Sequence, residues 1–109
     1  MISLEDFDKV EMRVETIIEA NVNKGARKPA YKLKIDMGSE LGIKNSSAQI
    51  TELYSVEDLV GRQVIVVTNF EAIRIADVKS EVRILGADTP FGVVLLSLER
   101  PVLNGAKIY

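Results

Sequence analysis

Alternation with a period of two dominates the first half of the chain. From Val10 to Val22 the residues Val10, Met12, Val14, Ile18, Ala20 and Val22 fall on one side, with Glu11, Arg13, Glu15, Glu19 and Asn21 on the other. Thirteen residues exceed an ordinary strand, and a strand this long has to curl, as the first strand of a small barrel does. Ile17 stands on the polar side of this pattern and is expected to be exposed and available to an interface. A second alternation sets Tyr31, Leu33, Ile35 and Met37 against Lys32, Lys34 and Asp36. After a turn over Gly38 to Gly42, a third sets Ser46, Ala48 and Ile50 against Ser47 and Gln49.

Helical signals are short. Ser3 is placed to cap a turn over residues 3–9 in which Leu4 and Phe7 share a face. Ser55 followed by Asp58 forms a capping box for one or two turns carrying Val56, Leu59 and Val60, which Gly61 stops. The run Gln63–Phe70 is apolar almost throughout and predicts a strand covered on both faces. Ile73 and Ile75 alternate with Arg74 and Ala76, and further strands are expected over Ser80–Leu85 and Gly92–Ser97, with Asp88-Thr89-Pro90 as a break. The tail from Arg100 to Tyr109 turns at Asn104-Gly105 and stays apolar to its end, so something should cover it.

A long first strand, one short helix between the third and fourth strands and no βαβ spacing predict an all-β domain over residues 1–109. The arrangement is that of a five-stranded oligonucleotide/oligosaccharide-binding (OB-fold) barrel. An immunoglobulin-type sandwich fits the inserted helix and the long first strand poorly. Such barrels bind ligands on the face of strands two and three.

Composition narrows the chemistry. The 109 residues include neither cysteine nor histidine, which removes disulfides, thiolate sites and the usual neutral-pH base and metal ligand. No P-loop, EF-hand or nucleophile elbow is present. The reading is therefore of a non-enzyme that needs no cofactor or metal. No run of apolar residues is long enough to span a membrane, and the acidic start MISLEDFDKV is unlike an export signal, so a cytoplasmic location is expected. The net charge of −2 conceals an asymmetry, since residues 24–44 carry +4 and the remainder −6. A basic patch on an acidic body steers anions to one place.

The segments FDKVEMRVETIIEA, ARKPAYKLKIDMG, IKNSSAQIT, LVGRQVIVVTNF, SEVRILGAD, GVVLLS and RPVLNGAKI closely resemble the CsaA family of small export-related chaperones. That family lies within the tRNA-binding-domain superfamily, which includes the EMAP II-like domains of some aminoacyl-tRNA synthetases. The resemblance covers essentially the whole chain. It implies a barrel extended at both ends, with the extensions joining two copies into a homodimer that holds unfolded or precursor polypeptides. Leu4, Phe7, Leu103, Ile108 and Tyr109 then become candidate dimer contacts alongside Ile17.

Two ligand classes are carried forward. For polypeptide, Phe70 and Tyr31 offer aromatic walls beside Asn69, while Ser46, Ser47 and Gln49 offer hydrogen bonds. Arg27 and Lys28 attract acidic groups. For tRNA or structured RNA, the alternative, Lys24, Arg27, Lys28, Lys32, Lys34 and Lys44 neutralise phosphates, with Ser80 at the matching motif. RNA-binding relatives carry Ser-x-Gly-Met there, whereas this chain reads Ser80-Glu81-Val82-Arg83. The Glu81 carboxylate argues against tRNA as the native ligand.

Overall fold

The computed structural model describes residues 1–109. A short helix α1 (Leu4–Asp8), capped by the Ser3 hydroxyl on the Asp6 amide at 3.1 Å, leads into strand β1 (Met12–Val22). Strand β2 (Tyr31–Asp36), a single helical turn α2 (Gly38–Leu41) and strand β3 (Ile43–Ala48) follow. Helix α3 (Val56–Leu59) has the reciprocal Ser55–Asp58 capping box that the sequence predicts. Strand β4 (Gln63–Val67) and the small hairpin β5 (Ile73–Ile75) and β6 (Val78–Ser80) come next. The last strands are β7 (Arg83–Ile84), β8 (Gly86–Thr89) and β9 (Gly92–Leu95). The break expected at Asp88-Thr89-Pro90 is in fact the β8–β9 hairpin turn, where Thr89 pairs with Gly92.

Five strands hydrogen-bond in the order β3-β2-β1-β4-β7. The two ends of that sheet meet across a seam. The Glu81 amide donates to the Asn45 carbonyl at 2.8 Å, the Ser47 amide to the Ser80 hydroxyl at 3.0 Å, and the Ser46 hydroxyl to the Val82 carbonyl at 2.8 Å. The result is a five-stranded, nearly closed barrel with a short helix between its third and fourth strands. Its core gathers Ile17, Leu33, Ile35, Leu59, Val64 and Val66 among others. No helix is long and apolar enough to cross a membrane.

Strand β1 departs from strict alternation, and this corrects the expectation for Ile17. Ile17 pairs with Ile35 but Glu19 pairs with Lys34, so Ile18 is an extra residue, a β-bulge. A bulge reverses the parity of every position beyond it. Ile17 therefore points into the core at 0% exposure and makes no interface, while Ile18 is exposed. Before the bulge, Glu15 shares the inward side with its β4 partner Val64 and is also 0% exposed.

The opposite side of β1 carries Val14, and its free edge is taken by the C-terminal segment. The Val14 amide donates to the Ala106 carbonyl at 2.9 Å, the Gly105 amide to the Val14 carbonyl at 2.8 Å, and the Ile108 amide to the Met12 carbonyl at 3.0 Å. The tail thus takes up the edge of β1 where β2 has ended. Strand β4 is covered on both faces, as its apolar run predicts, with Val64 to Val67 all buried.

Candidate binding clefts

Two clefts of the barrel flank the β5–β6 hairpin, one at either end. The first, about 260 Å³, has Met37, Leu41, Ala72 and Val82 as apolar lining and Phe70 at its wall. Phe70 lies just past β4 and is 54% exposed, so a large ring faces an apolar hollow with one side open to solvent. Two charges at this cleft are mutually satisfied, Lys44 lying 3.6 Å from Glu81, whose carboxylate also accepts the Asn45 amide at 3.1 Å. Lys79 at the same cleft has no ion-pair partner.

The second cleft, about 420 Å³, lies between the Lys24–Pro29 loop, the end of β3 and the tip of the β5–β6 hairpin. Arg27, Lys28 and Arg74 converge on it, with Ser47 and Gln49 as polar wall and Ala26, Ala30 and Ala76 as floor. No carboxylate lines it, and none of the three cations forms an ion pair. The loop is held in place by Asn23, itself buried, whose amide nitrogen donates to the Ser47 hydroxyl at 3.1 Å and the Ile75 carbonyl at 3.2 Å. Gly25 abuts Ala76 so closely that a Cβ on it would lie 2.8 Å from the Ala76 Cβ.

The residues expected to line one wall are therefore divided. Phe70 is in the first cleft; Arg27, Lys28, Ser47 and Gln49 are in the second. Tyr31 is not an open aromatic wall, because β2 turns it inward and its hydroxyl donates to the Tyr54 carbonyl at 2.7 Å. Ser46, 1% exposed, serves the barrel seam and is closed to a ligand. Asn69 is occupied in fastening the N-terminal extension, donating to the Lys9 carbonyl at 2.7 Å and accepting the Glu11 amide at 3.0 Å. Lys34 pairs with Glu19 at 3.5 Å, Lys24 and Lys32 are exposed beside the second cleft's walls, and Ser80 belongs to the seam. Glu81 is likewise a seam strut, which places its charge at the first cleft.

Arg74 and Lys79 escaped the sequence reading. They face each other directly across the β5–β6 ladder. The pairing rests on a two-residue turn, Ala76-Asp77, in which Ala76 adopts a left-handed φ of 56°. Alanine seldom takes that conformation, and no Asn-Gly signal marks the turn.

Buried Glu15 lies outside both clefts. Neither of its carboxylate oxygens has a hydrogen-bond partner, and burial pushes its pKa above the ordinary glutamate range. The nearby Gly105 amide, committed to Val14, and the Arg13 charge offset only part of that burial cost. Arg13 itself is held by Glu11 at 3.0 Å and by the Gly105 carbonyl at 2.9 Å.

Comparison with known proteins agrees with the resemblance read from the sequence. The crystal structure of the CsaA chaperone protein from Picrophilus torridus is 47% identical, with a TM-score of 0.94 and complete coverage of both chains. That of the chaperone CsaA from Bacillus anthracis is 46% identical, with a TM-score of 0.92, covering 100% of this chain and 99% of the other. The methionine–tRNA ligase of Caldanaerobacter subterraneus is 33% identical over 107 residues, which is 98% of this chain but 16% of the ligase. The chain thus spans about a sixth of the length of the curated relatives it matches. The family model for the putative tRNA binding domain matches residues 12–107. It is a binding domain and not a catalytic one, although the ligases that carry it are enzymes. The chain belongs to the tRNA-binding-domain family.

Proposed function

We propose that this protein is an ATP-independent chaperone that holds unfolded or precursor polypeptides in the cytoplasm, in the service of protein export. The observation that carries the reading is the first cleft: an exposed Phe70 over an apolar lining whose one carboxylate is already paired. Apolar side chains of an unfolded segment gain by leaving water there, and no specific sequence is demanded of them. The likeness to two CsaA chaperones over the full chain supports it.

The working form is a homodimer. Leu4, Leu103 and Tyr109 are exposed, Phe7 and Ile108 are partly so, and the C-terminal extension pairs with the first residues of β1, into which the N-terminal extension leads. Apolar side chains left in water on neighbouring extensions suit contact with a second copy. The test is suppression of aggregation of a denatured client at stoichiometric amounts, with and without nucleotide. Aggregation unaffected by a molar excess of the protein would overturn the reading.

A second reading is RNA binding, favoured by the second cleft, where Arg27, Lys28 and Arg74 converge with no carboxylate. Phosphate contacts release counterions, so binding of bulk tRNA should weaken steeply between roughly 50 and 200 mM salt. No tRNA binding at the lower salt removes this reading.

A further inference from the structure

Arg74 and Lys79 are like charges placed directly opposite each other in an antiparallel ladder. Directly opposed residues of one ladder project from the same face, their Cα atoms about 5 Å apart. Like charges so placed destabilise a hairpin, and no carboxylate lies within ion-pair distance of either. Asp77 in the intervening turn offers Arg74 only its backbone carbonyl, at 3.5 Å. Lys79 lines the first cleft and Arg74 the second. The pair is therefore a cationic bridge between an apolar hollow and a basic one.

We propose that the two clefts form one trough, which takes an extended polypeptide carrying an apolar residue in the Phe70 cleft and an acidic residue in the Arg27–Lys28–Arg74 cleft. The proposal rests on the holding function above and specifies the segments held. Arg74 and Lys79 share one rung of the ladder, and Ala76 at the tip lies two residues further, about 7 Å at roughly 3.3 Å per residue. An extended ligand chain covers that span in about two residues, which sets the spacing of the two groups. Charge complementarity selects an acidic group for the second cleft, and the first cleft selects polypeptide as the occupant. An apolar side chain meets Phe70, Met37 and Leu41 there, where the Glu81 charge is already taken up by Lys44. The alanine floor of the second cleft admits a short side chain beside its carboxylate.

The test is fluorescence anisotropy with three labelled peptides of one length, each with a leucine and, two residues along, Glu, Gln or Lys. The Glu peptide should bind about tenfold tighter than the Gln peptide at roughly 50 mM salt, and the Lys peptide more weakly than either. In the Arg74→Gln, Lys79→Gln double variant the Glu-to-Gln affinity ratio should fall severalfold, and to about one when Arg27 and Lys28 are replaced by Gln as well. Chemical denaturation of the variant confirms that the barrel is intact. Equal affinity for the Glu and Gln peptides, or tighter binding of the Lys peptide, overturns the proposal and leaves apolar holding standing. Failure of all three peptides to bind overturns the holding function itself. Displacement of the Glu peptide by a short single-stranded RNA at concentrations below the peptide's own Kd, lost in the double variant, assigns the trough to nucleic acid and overturns the proposal.

Discussion

The Ser46 hydroxyl donates to the Val82 carbonyl at 2.8 Å, inside the barrel and across the seam where its sheet closes on itself. Ser46→Ala leaves that buried carbonyl without this donor and should cost about 1–3 kcal/mol of stability, read as a lowered urea midpoint at unchanged slope. Polypeptide capture by the folded fraction should not change. A variant that keeps full stability would show that the seam is held elsewhere.

Phe70→Ala removes an exposed ring, so its effect on stability should stay within about 0.5 kcal/mol. Client holding should fall severalfold, measured as the protein concentration needed to halve aggregation. Unchanged holding would take Phe70 out of the site.

Asn69 joins the N-terminal extension to the end of β4 through two hydrogen bonds. Asn69→Ala should free residues before Glu11 and shift the proposed dimer towards monomer in sedimentation velocity. A dimer of undiminished strength would place the contact elsewhere.

Glu15 gives a pH dependence of known sign. Its folded pKa is raised, chiefly by burial, so the folded state holds the proton more tightly than the unfolded one. Stability is then lost as pH rises from the ordinary glutamate value through the raised one. Glu15→Gln lacks this titration and should exceed the wild type by roughly 1 kcal/mol at pH 8, losing that lead near pH 4. Glu11 acts in the opposite sense. The Thr68 hydroxyl first, and Arg13 next, lower its pKa, so its contribution is present above the ordinary value and lost in acid. Parallel melting curves of wild type and Glu15→Gln across that range would refute the assignment to Glu15.

Gly25→Ala forces the basic loop away from Ala76. It should weaken ligand binding at the second cleft severalfold while leaving capture of purely apolar peptides intact, since Phe70 lies at the other end of the hairpin. Equal loss of both would mean the two ends do not act separately.

The barrel was readable because its strands obey simple alternation. Tyr31, Leu33 and Ile35 face inward as their spacing demands, and Ser55 and Asp58 cap α3 by local chemistry alone. Ile17 defeated the same reasoning because one inserted residue, Ile18, reverses parity, and a bulge at the second of two adjacent isoleucines leaves no mark in a hydropathy pattern. The geometry of the candidate site was half legible. Charge clustering pointed to Arg27 and Lys28, and Phe70 stood out as an aromatic at a strand end. Ser46 and Tyr31 fall on the inward sides of their alternations, but their hydroxyls made them ligand candidates until the partner carbonyls, of Val82 and Tyr54, were known. Arg74 and Lys79 meet only through a turn whose residues do not announce it.

The attachment of the C-terminal segment to β1 joins residues 92 positions apart, as Arg13 and Gly105 show. Contacts so distant in sequence form late, because a long loop must close before they repay it. During synthesis the edge of β1 at Met12 and Val14 stays bare until residues beyond Asn104 have emerged, and a bare strand edge invites pairing with other chains. The chain that we propose shelters the unfinished segments of others thus passes through an unfinished state of its own.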